Sequence, residues 1–311
     1  MQSKVAVFKP EEGVFEIINE QIKDTLSPDE VLIRQTSISI SDIDVVDGKI
    51  HKLTRLGHAA AGEVMKVGDN VTWLNVGDRV VYCAVPGAFC EYRVVNQSTL
   101  IKFPDSITKA LAPALFYRGC IGHMATARAF IVRGGINALI DNIHNPTNAA
   151  IGLFAKQRGA FVIGITSENS EISQDVCDVV VHSNDQDLKK DIMSATKNIG
   201  CHVYYTGLNP ISLEQAVDYL TVSGVIVDHL NVIQNLQTSL IAKKSLFFTA
   251  PSILHYKSIR NELVLTADEI IAIHSKTPFQ CDISEFSFEK INEAFREVLS
   301  PSSAKAVVLK I

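Results

Sequence analysis

Ala138-Leu139-Ile140-Asp141-Asn142-Ile143-His144-Asn145-Pro146-Thr147-Asn148-Ala149-Ala150 runs from an apolar stretch through a polar turn into a helix, and Phe161-Val162-Ile163-Gly164-Ile165 follows as a second apolar stretch. Asn145 is a favourable N-cap and Pro146 suits the first helical position, so a helix begins there with its positive end free. Strand-like runs continue at Val179-Val180-Val181, His202-Val203-Tyr204-Tyr205 and Gly224-Val225-Ile226-Val227, alternating with helical segments at 149–158, 186–197 and 213–220. Strands apolar on both faces, separated by helices, predict a parallel doubly wound sheet.

Before Pro113 the rhythm is different. Val5-Ala6-Val7-Phe8, Glu30-Val31-Leu32-Ile33-Arg34, residues 62–68, Asp78-Arg79-Val80-Val81-Tyr82 and residues 90–95 are short apolar or alternating runs bounded by Gly, Asp, Asn and Pro, which reads as a compact all-β module. A last helix at 288–299 precedes Ala306-Val307-Val308-Leu309, a strand expected to rejoin that module. The expected domains are therefore residues 1–115 with 270–311, and residues 116–269.

Composition narrows the function classes. The chain has 311 residues, 47% hydrophobic and 20% charged, which predicts a compact soluble protein with a sizeable core. A formal net charge of −5 without a basic stripe leaves nothing to neutralise phosphates, so nucleic acid is excluded as a partner. No apolar run approaches the roughly 20 residues of a membrane span, and Met1-Gln2-Ser3-Lys4-Val5-Ala6 has no apolar signal core, so a cytoplasmic protein without membrane contact is expected. The six cysteines show no C-x-x-C spacing and read as reduced, buried hydrophobes.

Gly57-His58-Ala59-Ala60-Ala61-Gly62-Glu63-Val64, Val67-Gly68-Asp69-Asn70-Val71, Val76-Gly77-Asp78-Arg79-Val80 and Gly87-Ala88-Phe89-Cys90-Glu91-Tyr92, in this order, resemble the medium-chain dehydrogenase/reductase superfamily. Ser245-Leu246-Phe247-Phe248-Thr249-Ala250-Pro251-Ser252 with Tyr256 is similar to a signature of its quinone oxidoreductase branch. The resemblance implies an α/β fold class, a GroES-like β-barrel domain plus a Rossmann doubly wound parallel-sheet domain, paired as a homodimer. It further implies a zinc-independent, NAD(P)H-dependent oxidoreductase that passes hydride to a small quinone, enone or carbonyl substrate in a cleft between the domains.

Zinc-dependent members hold their catalytic ion with Cys, His and Cys, and matching the motifs places Ser39, His58 and Tyr117 at those positions. Neutral hydroxyls are poor zinc ligands, so no metal is expected. The same matching places Ser41 and Asp44 in the proton relay. Ser39, Ser41, Asp44 and His58 are therefore the candidate catalytic group, delivering a proton to the acceptor oxygen. The alternative reading is that Ser39, Ser41, Asp42 and Asp44 only end a strand and cap the next turn.

A Rossmann domain seats the diphosphate at the turn after its first strand, where glycines let the backbone approach. Here that turn has no glycine before Gly152. His144, Asn145, Thr147 and Asn148 are the candidates to contact phosphate. Ser167 stands where an acid would otherwise select NAD, which points to NADP(H), with NAD(H) or no coenzyme as the alternatives. His229 stands where glycine often lies close to the nicotinamide. If the turn has closed the phosphate site, the chain is a non-catalytic member acting as a binding or interaction module.

Overall fold

The computed structural model of the chain describes residues 1–311 except 24, 47–48, 51–55, 168–170, 209, 257–258, 280–281 and 301–304. Glu168, Cys281 and part of the loop 47–56 lie outside the described residues. In chain order the first elements are β1 (Gln2–Lys9), β2 (Val14–Gln21), β3 (Glu30–Ser39), β4 (Val45–Val46), β5 (Lys49–Ile50), β6 (Ala59–Val67), β7 (Arg79–Tyr82), β8 (Tyr92–Asn96), β9 (Ile101–Lys102) and α1 (Leu111–Met124). Then come β10 (Asn137–Ile140), α2 (Pro146–Gln157), β11 (Phe161–Thr166), β12 (Val179–His182), α3 (Leu188–Ala195), β13 (Cys201–Tyr205), α4 (Leu213–Tyr219) and β14 (Leu220–Val227). The chain closes with α5 (Thr238–Ala242), β15 (Phe247–Thr249), α6 (Ile253–Tyr256), α7 (Arg260–Lys276), β16 (Ile283–Ser287), α8 (Ile291–Val298) and β17 (Ala306–Lys310).

Two compact units result, Met1–Tyr117 with Lys257–Ile311, and Arg118–Tyr256. The later boundary corrects the expected residue 270. The helix α7 belongs with the β module, because the Arg260 guanidinium lies 4.6 Å from the Trp73 ring centroid and donates to the carbonyls of Ser98 and Leu100.

In the first unit a seven-stranded sheet runs β16-β17-β3-β6-β7-β9, with β8 also paired to β3. Because β3 is paired to β6, β8 and β17, its buried positions alternate at Val31, Ile33, Gln35 and Ser37 and then become continuous at Ile38 and Ser39. The core gathers Ile33, Ile38, Val64, Phe89 and Phe295, with Phe15 stacked on Phe295 at 4.7 Å between ring centroids. The expected closing strand does rejoin this sheet, as β17 antiparallel to β3. It brings Val308 opposite Ser39, while β6 brings Ala59 opposite the same serine.

The second unit is a six-stranded parallel sheet in the order β12-β11-β10-β13-β14-β15. The strand order reverses between β10 and β13, so the C-terminal ends of those strands bound the crevice where such sheets take their ligands. Leu139, Ile163, Ile165, Tyr204 and Ile226 form its core. Gly164 is needed on β11 because a Cβ there would come within 2.7–2.8 Å of the Ile143 side chain.

Candidate functional site

In the first unit the end of β3 and the start of β6 set the geometry. After Ser39 the chain makes a short helical turn at Asp42–Asp44, and the Asp44 carboxylate closes it by accepting Ser41 N–H on Oδ2 at 3.0 Å. Asp44 Oδ1 accepts the Gly57 N–H at 2.8 Å and stands 2.8 Å from His58 Nδ1. The capping role and the pairing role expected of Asp44 as alternatives thus meet in one carboxylate. Gly57 has φ +80° and lies under Phe89, where a Cβ would come within 2.9 Å of the Phe89 nitrogen. Only glycine presents its N–H to Asp44 from that conformation without strain.

Ser39, Ser41, Asp44 and His58 are all at most 1% exposed. With Nδ1 turned to the carboxylate, His58 Nε2 is buried and has no hydrogen-bond partner among the described residues. A buried polar atom in that condition is a place where a ligand oxygen gains a hydrogen bond that water cannot offer. Ser39 Oγ donates to its neighbour's carbonyl, that of Ile40, at 3.3 Å. Among the described residues no group of three or more His, Cys, Asp or Glu side chains could hold a metal ion.

In the second unit the turn after β10 is filled by its own side chains. Asp141, 4% exposed, accepts Tyr204 O–H at 2.8 Å and Ile211 N–H at 2.7 Å on Oδ2, and Asn142 N–H at 2.8 Å on Oδ1. Burial pushes the Asp141 carboxyl above its ordinary range, against the pull of these donors. Asn142 takes φ +50°, the conformation a glycine would otherwise supply. Asn148 Nδ2 donates to the carbonyls of Asp141 and Thr206, tying the head of α2 to the ends of β10 and β13.

The candidate phosphate contacts are placed as follows. Asn145 caps α2, its Oδ1 accepting Thr147 N–H at 2.8 Å, and Pro146 has no N–H to offer. His144 is buried with Nδ1 2.9 Å from Thr166 Oγ1, and Thr147 is buried at 1% exposure. These residues do lie together at the C-terminal edge of the sheet. The Asn145 side chain caps α2 and the His144 ring reaches Thr166 at the end of β11. Ser167 is exposed just past β11, and Glu171 is exposed beyond it.

At the end of β14, Asp228 accepts Thr206 O–H at 2.9 Å and the N–H groups of Val232 and Ile233 at 3.0 and 2.8 Å. His229 follows, 9% exposed, and neither ring nitrogen has a hydrogen-bond partner among the described residues. Burial pulls its imidazole down to about 4, so the ring is neutral at pH 7. Thr206 and Tyr204 were missed as parts of this region. The signal available for Thr206 was a polar residue immediately beyond the C-terminal end of β13.

His123, read as a satisfied histidine, has Nδ1 hydrogen-bonded with the Tyr256 hydroxyl. Trp73 packs against the β core and donates to Gln97 Oε1 at 2.9 Å.

The architecture defines a class, a GroES-like β unit joined to a dinucleotide-type parallel sheet. Residues 27–105 match the alcohol dehydrogenase GroES-like domain. The chain is 25% identical over 301 residues to a quinone oxidoreductase of Pseudomonas aeruginosa, covering 91% of each, and 26% identical over 282 residues to a 2-haloacrylate reductase of a Burkholderia species, covering 83% of this chain and 84% of the relative. A quinone oxidoreductase of Pseudomonas syringae superposes with a TM-score of 0.88 at 24% identity, over 99% of this chain and all of that one. The Escherichia coli quinone oxidoreductase complexed with NADPH gives 0.86 at 21%, over 99% and 100%. Over most of its length the chain is thus similar to quinone oxidoreductase-like members of the medium-chain dehydrogenase/reductase superfamily.

Proposed function

We propose that the chain is a zinc-independent, NADPH-dependent oxidoreductase that reduces a small quinone, enone or carbonyl compound. The observation that carries this reading is the crevice of the second unit. The strand order reverses between β10 and β13, and buried polar atoms without partners among the described residues, both His229 ring nitrogens and Asn148 Oδ1, stand at that edge. The relatives named quinone oxidoreductase and 2-haloacrylate reductase, which the chain matches over most of its length, support it.

The residues present fit a dinucleotide laid across these strand ends, with the diphosphate outside the filled turn. Ser167 would face the adenosine ribose, where the lack of a carboxylate favours a 2′-phosphate. Asn145, Thr147, His144 and Asn148 would border the diphosphate at the head of α2, and His229 would face the other nucleotide. When bound, the coenzyme supplies the hydride.

The chain's own contribution is the proton. Asp44 orients the His58 ring through Nδ1, which leaves Nε2 as the atom to donate a proton to the acceptor oxygen. Burial keeps competing water from both groups. Ser41 fixes Asp44 through its backbone, and Ser39 stands beside Ala59 in the ladder to help position the acceptor. The test is quinone-dependent loss of reduced-nicotinamide absorbance by purified protein. No turnover with any quinone, enone or aldehyde acceptor would remove the reading.

A second reading, a non-catalytic binding module, is favoured by one observation, the clasp in which Asp141 and Asn148 fill the phosphate turn. The two readings part on whether NADPH binds. Among the described residues no helix is long and apolar enough to cross a membrane. We also infer a homodimer formed along β15, the edge strand of the parallel sheet, where Phe247 is 62% exposed.

A further inference from the structure

The first unit holds a cavity of about 530 Å3 between the β1–β2 hairpin and residues 86–94. Small-molecule pockets span roughly 300–1,000 Å3, so this one has room for a ligand. Val5, Ala6, Phe8, Phe15, Leu56 and Phe89 give it apolar walls. The hairpin is fastened to the facing segment by Ala6 N–H on Phe89 O and Glu91 N–H on Lys4 O, both at 2.9 Å.

Arg93, half-buried in the same wall, is fixed in place and short of acceptors. Its Nη1 donates to the Tyr82 hydroxyl at 2.7 Å and to Val85 O at 3.1 Å, its Nη2 donates to Pro86 O, and the guanidinium carbon lies 4.9 Å from the Tyr82 ring centroid. The loop it grips is itself bonded to Gly57-His58, since Val85 N–H donates to His58 O and the Gly87 and Ala88 N–H groups donate to Gly57 O. Three of the five guanidinium N–H groups are thus used, all on neutral oxygens, and Nε has no acceptor among the described residues. Elsewhere in this unit Arg34 and Lys109 meet Glu63, and Arg79 meets Asp105. Arg93 meets no carboxylate among the described residues.

The other charges that line the cavity do not answer it. Glu30 is spent on the Ser27 N–H at 2.7 Å, while Glu20 and Lys23 are exposed and of opposite sign. A guanidinium held by neutral oxygens keeps its full charge, and its spare N–H groups suit the two oxygens of an anion. One fixed cation matches a single negative charge, and the apolar walls specify the rest of the molecule.

We propose that this cavity binds a small organic carboxylate with an apolar body, its oxygens on Arg93 and its body against Val5, Phe8 and Phe89. The site lies within the first unit, and the assignment stands apart from the coenzyme reading.

The test is calorimetric titration of the protein with 4-bromobenzoate and with 4-bromobenzamide, which has nearly the same shape without the charge. The acid should bind about tenfold or more tightly than the amide. In Arg93→Gln that preference disappears, and in Glu20→Gln the affinity for the acid rises, because a repelling charge beside the cavity is gone. A crystal of the wild type grown with the acid should show the anomalous signal of bromine inside the cavity with the carboxylate on Arg93, a readout that does not depend on either variant folding. Equal affinity for acid and amide, no binding of the acid at millimolar levels, an undiminished preference in folded Arg93→Gln, weaker acid binding in Glu20→Gln, or bromine seated only elsewhere would each overturn the assignment.

Discussion

His58 Nδ1 lies 2.8 Å from Asp44 Oδ1, and both side chains are fully buried. The pair owes its position to backbone. Asp44 is fastened by the N–H groups of Ser41 and Gly57, and His58 is delivered by the start of β6, which pairs with the end of β3. A carboxylate held by three donors keeps the imidazole in one orientation, and the remaining ring nitrogen is then free for chemistry.

Asp44→Asn tests that arrangement. The amide preserves volume but replaces the carboxylate that holds His58 Nδ1 and so disturbs the orientation of the ring. Turnover should fall on the order of 10²-fold, the ordinary contribution of a positioned proton donor. NADPH affinity should stay unchanged, since Asp44 lies in the other unit. Unchanged turnover would remove Asp44 from the mechanism.

Stability should respond to pH through His229. Its imidazole is lowered from 6.5 to about 4 by burial, only partly opposed by the charge of Asp228, so between those values the unfolded chain binds a proton that the folded chain refuses. Stability contributed by the neutral ring is therefore complete above pH 6.5 and is lost as pH falls toward 4, by about 3 kcal/mol. His229→Leu should flatten the pH dependence of urea unfolding in this window. A Leu variant with the wild-type slope would show that the ring is hydrated or paired.

Asn145→Ala should move stability and coenzyme affinity in opposite directions. Losing the cap of α2 costs about 1 kcal/mol. The same change frees the Thr147 N–H, now held by Asn145 Oδ1, for a phosphate oxygen. Chemical denaturation read beside NADPH titration checks both signs, and a parallel loss of stability and affinity would mean that Asn145 itself contacts the coenzyme.

Phe247→Glu addresses the dimer. A charge at the centre of a strand-edge interface is costly to desolvate, so the variant should elute as a monomer in gel filtration while the wild type elutes at twice that mass. A monomeric wild type would leave the exposed Phe247 to another purpose.

The parallel sheet was legible because its strands are apolar on both faces, and Asn145-Pro146 marked the start of α2 at the observed residue. The helix α7 was not read, although Leu263, Thr266, Ala267, Ile270 and Ile273 are buried along it at helical spacing. Thr266 interrupts an otherwise apolar stripe. The sequence placed Ser39, Ser41, Asp44 and His58 in one group but could not show which of them touch, because Asp44 meets His58 across a turn whose closure depends on Gly57. The missing glycines of the phosphate turn were plain in the sequence. What fills their place was not, since Asp141 is satisfied by Tyr204 and Ile211, 63 and 70 residues away. The isolation of His229 was equally out of reach, being a property of everything packed around it.

The thermal melt of the protein in the presence of NADPH bears most directly on the account. At a hundredfold excess over its dissociation constant the coenzyme should add roughly 2.7 kcal/mol and raise the melting temperature by a few degrees, with a smaller shift for NADH. A melting temperature unmoved by millimolar NADPH would contradict the oxidoreductase reading and leave the closed turn as the end of coenzyme binding in this chain.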